Sequence, residues 1–236
     1  MANEFYKPGV QRASRVNELF ARIAHRYDLI NDLQSFGLHR YWKRRVIQLA
    51  RITPGSPALD VCCGTGDITC GLARAGAKAT GLDFSPEMLQ VARQRGMAGT
   101  TFLQGDAQQL PFPDATFEAV TVGYGLRNLT DWRTGLREMA RVARPGGRIL
   151  VLEFGKPENP IWRGLYFSYL RLVVPLLGLV FCRQSSAYAY ILESLKHYPA
   201  QRGVEEEMRR IGLDRIGIVS FMGGVMTINH GVRPQT

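Results

Sequence analysis

Leu59-Asp60-Val61-Cys62-Cys63-Gly64-Thr65-Gly66-Asp67 decides the fold: a short apolar run stops at a glycine-rich turn and passes into a helical pattern near Asp67 to Arg74. A strand that turns through G-x-G into a helix opens an α/β sheet, whose ligands bind at the carboxyl ends of its strands. Outward from this stretch the same step repeats. Apolar runs at Ala58 to Cys62, Ala77 to Asp83, Thr101 to Gly105, Phe117 to Val122 and Arg148 to Phe154 alternate with helical patterns near Pro86 to Arg95 and Asp131 to Ala143. Strand and helix in strict turn require a parallel sheet with helices on both faces and right-handed crossovers. Asp214 to Phe221, then Gly223-Gly224, then Val225 to Val232 predict a closing hairpin, so that one edge is antiparallel.

The expected architecture is therefore α/β and Rossmann-like: a doubly wound, mostly parallel seven-stranded sheet with an antiparallel C-terminal hairpin, an N-terminal helical arm and a helical lid insertion. At 236 residues one domain is the default. It divides into a helical arm (1–55), a cofactor-binding core (56–155), an apolar lid (156–200) and a closing helix with hairpin (201–236). In the arm, Val16, Leu19, Phe20, Ile23 and Tyr27 predict an amphipathic helix over about residues 14–26, and a second helix is expected from Tyr41 to Ala50. Ile161 to Cys182 is the most apolar segment, interrupted by Arg163 and Arg171 and broken in its C-terminal half by Pro175. Its longest uncharged run, Leu172 to Cys182, falls short of the ~20 residues of a spanning helix.

Apolar residues at 45% and charged residues at 21% exclude a disordered chain. The net charge of +10 points to an anionic partner, either nucleic acid or an acidic lipid surface. Ten Lys or Arg against four acids fall within residues 1–55, so the arm is either a docking surface or a solvated basic face. Cys62, Cys63, Cys70 and Cys182 form no C-x-x-C pair, so no metal site is expected and free thiols in a reducing compartment are. The polar N-terminus lacks the apolar core of a secretory signal, and a cytoplasmic address is expected.

A lone G-x-G is a weak signal, and two carboxylates sharpen it. Asp83 lies 19 residues after Gly64 at the end of the second strand, where a carboxylate accepts both hydroxyls of a ribose. Asp67 follows the second glycine at the helix N-terminus, where a dinucleotide enzyme holds pyrophosphate. A carboxylate there repels phosphate and suits a cation, and Thr69 stands in place of the third glycine. The expected cofactor is a phosphate-free, positively charged nucleoside, S-adenosylmethionine. The competing reading makes Asp67 a helix cap. Asp106, followed by Ala107, offers a carboxylate and a backbone N–H toward an adenine edge.

Four further stretches carry a resemblance. Tyr27-Asp28-Leu29-Ile30-Asn31-Asp32 with Ser35-Phe36-Gly37-Leu38-His39-Arg40-Tyr41-Trp42-Lys43, Leu110-Pro111-Phe112-Pro113-Asp114, Gly125-Leu126-Arg127-Asn128, and Arg141-Val142-Ala143-Arg144-Pro145-Gly146-Gly147 with Glu153 resemble the ubiquinone and menaquinone biosynthesis C-methyltransferase family over nearly the whole chain. The resemblance implies that Thr65, Asp83, Asp106 and Ala107 contact the cofactor and that Arg127 and Asn128 face the acceptor. With the flanking residues, the expected cofactor set is Asp60, Gly64, Thr65, Gly66, Asp83, Phe84, Asp106, Ala107 and Gly123. The sequence departs from the family at Gly123 and Gly155, where serine is common, and at Asp106, where asparagine is.

Moving a methyl from sulfonium to an aromatic carbon needs an electron-rich ring, so the implied acceptor is a prenylated hydroquinol with a hydroxyl at least partly deprotonated. The protein must align the reacting atoms, exclude water and supply a base. His39, Asp28, Asp32, Glu153 or a water held by Arg127 and Asn128 are the candidates, with His39, Asp32, Arg127 and Asn128 forming the expected catalytic set. Arg127→Ala is expected to cost about tenfold in turnover or more while folding normally. The implied reaction converts demethylmenaquinol to menaquinol; a benzoquinol precursor of ubiquinone or a phytyl-naphthoquinol is the alternative. The long tail calls for an apolar surface, which residues 161–182 supply as a lid of helices able to touch anionic membrane. A homodimer or biosynthetic complex stays open. A nucleic-acid methyltransferase is disfavoured, because no Pro-Pro-Tyr or Pro-Cys motif and no appended RNA-binding module is present. A non-catalytic scaffold is the reading from another class.

Overall fold

The computed structural model describes residues 27–182 and 186–235 together with residue 18, the backbone alone at 27–30, 177–182 and 186–191. In chain order the elements are α1 (Tyr27–Ser35), α2 (Leu38–Ala50), β1 (Pro57–Val61), α3 (Asp67–Arg74), β2 (Lys78–Asp83), α4 (Pro86–Arg95), β3 (Thr100–Gln104), β4 (Phe117–Gly123), a 3-10 turn (Leu126–Asn128), α5 (Trp132–Val142), β5 (Ala143–Phe154), α6 (Pro160–Cys182), α7 (Ser186–His197), α8 (Ala200–Arg210), β6 (Asp214–Phe221) and β7 (Met226–Val232). One seven-stranded sheet runs in the order β3-β2-β1-β4-β5-β7-β6. The first five strands pair in parallel, and β7 is antiparallel to both β5 and β6. This is the doubly wound sheet that the alternation of strand and helix predicts, closed by the predicted hairpin.

Two faces of the central strands are buried, and the strand period of two sorts their side chains. Ala58, Ala119, Leu150 and Leu152 pack with Trp42 and Val46 of α2 and Ile68 and Leu72 of α3. Leu59, Val61, Val120, Val122, Ile149 and Val151 pack with Leu136 and Met139 of α5 and, toward the C-terminus, Tyr166, Leu195 and Met208. Each fully buried Leu, Ile or Val contributes roughly 1.5–3 kcal/mol. Helix starts follow local chemistry. The Ser85 hydroxyl accepts the Met88 N–H at 3.3 Å with Pro86 at the first position, and Asp131 accepts the Arg133 N–H at 3.0 Å.

Several boundaries differ from the expectation. α2 begins at Leu38, not Tyr41, because Gly37 at φ 76° lets the chain reverse directly out of α1. β5 begins at Ala143, which pairs with Phe117 ahead of a register shift. α6 runs unbroken through Pro175. The ring removes one backbone donor, but buried Tyr166, Leu170 and Val174 fix the preceding turns against the core. The helix expected over residues 14–26 lies outside the described residues, apart from Glu18, which is helical. No helix among the described residues is long and apolar enough to cross a membrane.

Candidate functional site

β1 and β4 are neighbours in the sheet but not in the sequence, and the strand order reverses between them. A cleft opens at such a point beyond the carboxyl ends. It is lined by Cys62 and Gly64 after β1, Asp83 and Phe84 after β2, Asp106 and Ala107 after β3, and Gly123, Tyr124 and Asn128 after β4. Asp83 is fixed by two backbone donors: its Oδ2 accepts the Gly64 N–H at 2.8 Å and its Oδ1 the Ser85 N–H at 2.9 Å. Each oxygen retains an acceptor position for a sugar hydroxyl. Burial raises the Asp83 carboxyl above its usual range, and the backbone donors pull it partly back.

The charged side chains lining the cleft are Asp83 and Asp106, and among the described residues none of the lining side chains is Lys or Arg. A phosphate would meet carboxylates and no cation, whereas a sulfonium nucleoside meets complementary charge. Gly125 brings backbone close to the turn: a Cβ there would lie 2.4 Å from the Cys62 Cβ. Positions, charge and donors thus fit S-adenosylmethionine.

Asp67 plays neither of the parts its position suggested. Its Oδ2 accepts from the Lys43 ammonium at 2.7 Å and its other oxygen faces Arg95 at 3.7 Å. The N-cap of α3 is Gly66, at φ 83°, with no side-chain cap. Two cations neutralise Asp67, so the pull on a positively charged ligand falls to Asp83 and Asp106. Asp60 lies beneath the turn, with its oxygens accepting the Thr69 and Thr121 hydroxyls at 2.8 Å each. Burial raises its carboxyl to about 6 against the lowering by those hydroxyls. Asp60, Thr65 and Gly66 therefore shape the loop without lining the cleft.

Arg127 and Asn128 follow β4 on the 3-10 turn and part company. The Asn128 side chain lines the cleft and donates to the Tyr124 carbonyl at 3.1 Å. Arg127 is 5% exposed and lines neither the cleft nor the chamber described next. Its Nη1 donates to the Tyr124 carbonyl at 2.6 Å and to Glu153 Oε1 at 2.8 Å, its Nε donates to Ser194 Oγ at 3.2 Å, and its guanidinium lies over the Phe154 ring at 4.9 Å. Glu153 also accepts the backbone N–H groups of Arg127 and Phe154. Truncating Arg127 would strand a buried carboxylate, so the expectation of normal folding for Arg127→Ala is corrected: the side chain is structural as well as near the site.

Tyr124, which sequence reasoning passed over, divides the site. Its backbone sits at φ 62°, a left-handed conformation that costs a bulky residue on the order of 1 kcal/mol or more. Two side chains hold its carbonyl, and it lines both the cleft and a second chamber of about 280 Å³. Phe36, Leu38, Trp42, Phe154, Trp162, Leu165, Tyr166 and Met226 supply much of that chamber's apolar wall. Phe36, Leu38, Trp162, Leu165 and Met222 are exposed as well and form its mouth. His39 belongs to this wall, and its Nε2 lies 2.8 Å from Asp32 Oδ1. Asp32 sits outside it, held by the Arg40 Nε at 2.8 Å and Nη2 at 2.5 Å. Asn31 Nδ2, His39 Nδ1 and Tyr166 Oη are buried with no hydrogen-bond partner among the described residues, an arrangement costing about 1–3 kcal/mol per group when nothing else occupies the chamber. Tyr124 stands between two glycines, a local sign of an unusual backbone, and Phe36, Leu38, His39 and Trp42 of the same wall lie in the N-terminal stretch that carries the family resemblance.

Of the departures from the family pattern, the one at Gly155 has a local reason. A Cβ at Gly155 would lie 2.3 Å from the Gly224 carbonyl, so the hairpin turn occupies the space a serine needs. At Gly123 it would meet only the end of the Ile68 side chain, 2.6 Å away, which a rotation can clear, so the glycine there has no such backbone reason.

Comparison with known proteins agrees with this geometry. The model of the ubiE/COQ5 methyltransferase family matches residues 9–233. A ubiquinone/menaquinone biosynthesis C-methyltransferase UbiE of Ectopseudomonas mendocina is 40% identical over 235 residues, covering 96% of this chain and 92% of that one. A demethylmenaquinone methyltransferase of Bacillus cytotoxicus is 36% identical over 232 residues, covering 95% and 98%. Among solved structures, a possible histamine N-methyltransferase of Thermotoga maritima superposes with a TM-score of 0.66 at 18% identity, over 92% of this chain and 99% of that one. A phosphoethanolamine N-methyltransferase of Haemonchus contortus in complex with S-adenosyl-L-methionine gives 0.60 at 17%, over 79% and 51%. With a donor cleft of two carboxylates at the β1–β4 switch point and a match along almost its entire length, this chain belongs to the ubiE/COQ5 methyltransferase family and is an S-adenosylmethionine-dependent methyltransferase.

Proposed function

We propose that the protein transfers the methyl of S-adenosylmethionine to a ring carbon of a prenylated quinol, converting demethylmenaquinol to menaquinol. The observation that carries this reading is the apolar chamber adjoining the donor cleft, with Tyr124 lining both. Few polar atoms line the chamber, which suits a fused aromatic ring. The naphthoquinol is favoured because methylation of a menaquinone precursor is common to the names of both relatives; the benzoquinol precursor of ubiquinone belongs to one of them.

The mouth of the chamber sits among exposed apolar side chains, and along α6 the exposed Ile161, Leu172, Val173 and Leu176 continue the surface, with Arg163 and Arg171 between them. The prenyl tail leaves through this mouth toward lipid, and the arginines meet acidic headgroups at the cytoplasmic face of the membrane. Donor and acceptor then meet at the water–lipid boundary.

Incubating the purified chain with S-adenosylmethionine and a chemically reduced short-chain demethylnaphthoquinol tests the proposal, with the matching benzoquinol in parallel. Methylated naphthoquinol and S-adenosylhomocysteine are expected in equal amounts. Donor binding without methylation of either quinol would reduce the protein to a scaffold and contradict the reading.

A further inference from the structure

Three residues of the chamber wall, Asn31, His39 and Tyr166, carry buried polar atoms with no hydrogen-bond partner among the described residues. His39 is 2% exposed, on the first turn of α2, and its Nε2 is engaged with Asp32 Oδ1 at 2.8 Å. Arg40 grips both Asp32 oxygens, and its hydrogen bonds outweigh partial burial to hold the Asp32 carboxyl down at about 2. An ionised carboxylate only accepts hydrogen bonds, so the His39 proton resides on Nε2 and the ring's lone pair is on Nδ1. Nδ1 is the buried atom with no partner among the described residues. Burial, with the Lys43 ammonium nearby, lowers the imidazole below its usual range and keeps it neutral near pH 7.

We infer that the Asp32–His39 pair is the proton acceptor of the reaction: His39 Nδ1 takes the proton of one ring hydroxyl, while Asn31 Nδ2 and Tyr166 Oη bind the ring oxygens. This rests on the quinol-methylation reading and specifies it. As the O–H proton passes to Nδ1, the ring carbon attacks the methyl. The C–CH3 bond forms, the S–CH3 bond breaks, and its electron pair stays on sulfur. The methylated ring is then a neutral dienone that still carries hydrogen at the same carbon. Loss of that hydrogen as a proton to water restores aromaticity, and His39 returns its proton to the oxygen. One proton is released for each methyl transferred. Only the reduced acceptor carries a hydroxyl proton for Nδ1, so the same contact selects hydroquinol over quinone. Arg127 does not compete for this part: a guanidinium stays protonated, and this one is bound to Glu153 and the Tyr124 carbonyl.

The charged and titratable groups around His39 are Asp32 of α1 with Arg40, Lys43 of α2, Asp67 of α3 paired with Lys43 and flanked by Arg95 of α4, and, on the chamber wall, Tyr124 after β4 and Tyr166 and Tyr169 of α6. The test compares wild type with His39→Gln, which fills the site without a titratable base, and Asp32→Asn. Calorimetry with S-adenosylmethionine first reports folding and donor binding, which the proposal leaves at wild-type affinity in both. With reduced demethylnaphthoquinol at saturation, His39→Gln is expected to lower kcat about 100-fold or more, the scale of a lost general base. It should also remove the wild-type acid limb and leave a rate that climbs toward the phenolic range near pH 10. Tyr166→Phe should raise KM for the quinol about tenfold, the scale of a lost hydrogen bond, and leave KM for the donor unchanged. A readout independent of turnover is the 15N shift of the His39 ring: adding the hydroquinol without donor should move Nδ1, and the quinone should not. A His39→Gln enzyme that binds donor and keeps kcat within threefold, with the acid limb intact, overturns the proposal alone. A wild-type enzyme that methylates no quinol overturns the function and the proposal together.

Discussion

Tyr124 shows how much one residue carries here. The flanking Gly123 and Gly125 leave room for its left-handed backbone, its carbonyl is gripped by Arg127 and Asn128, and it lines both the cleft and the chamber. Arg127 is therefore a positioning residue and the counter-ion of a buried carboxylate. Arg127→Ala should lower turnover at least tenfold, through displacement of Tyr124. It should also lower the thermal midpoint by about 10 °C, since an orphaned buried Glu153 costs about 3–5 kcal/mol. Scanning calorimetry beside a turnover assay checks both, and a variant with wild-type melting and reduced turnover would restore a purely catalytic part for Arg127. At this scale the sequence was partly legible. Asp83 and Asp106 could be placed because a residue at a strand's carboxyl end has its position dictated by chain order. Asp67 could not, because Lys43 and Arg95, which neutralise it, come from α2 and α4.

Among elements, the strands and the helices between them were legible almost to the residue where a capping side chain marks the start, as at Ser85 and Asp131. The second chamber was not, since its walls come from α1, α2, the ends of β4 and β5, α6 and the hairpin turn, segments no local pattern connects. α6 is the element whose reading changed most: expected as broken pieces of a lid, it is one helix with Tyr166, Leu170 and Val174 in the core and Ile161, Leu165, Leu172 and Leu176 on the outside. The helix thus has one face in the core and one exposed apolar face. Leu172→Glu with Leu176→Glu should reduce co-sedimentation with anionic vesicles at low salt about tenfold or more, with donor affinity unchanged. Vesicle binding that is absent in wild type, or unaffected by both changes, would contradict a lipid-facing α6.

For the molecule as a whole, the charge of +10 contrasts with a donor cleft whose charged lining is acidic. The net charge therefore says nothing about the donor. The order of the sheet opens the carboxylate-lined cleft at the β1–β4 reversal, and the chain that follows β5 builds the far wall of the apolar chamber. Calorimetric titration of the full chain with S-adenosylmethionine, NAD and ATP, repeated on Asp83→Ala, tests that placement most directly. The sulfonium nucleoside should bind, the two phosphate-bearing nucleotides should not bind at equal concentration, and Asp83→Ala should weaken donor binding about ten- to hundredfold; tighter binding of NAD or ATP, or an Asp83→Ala protein that binds the donor as wild type does, would contradict it.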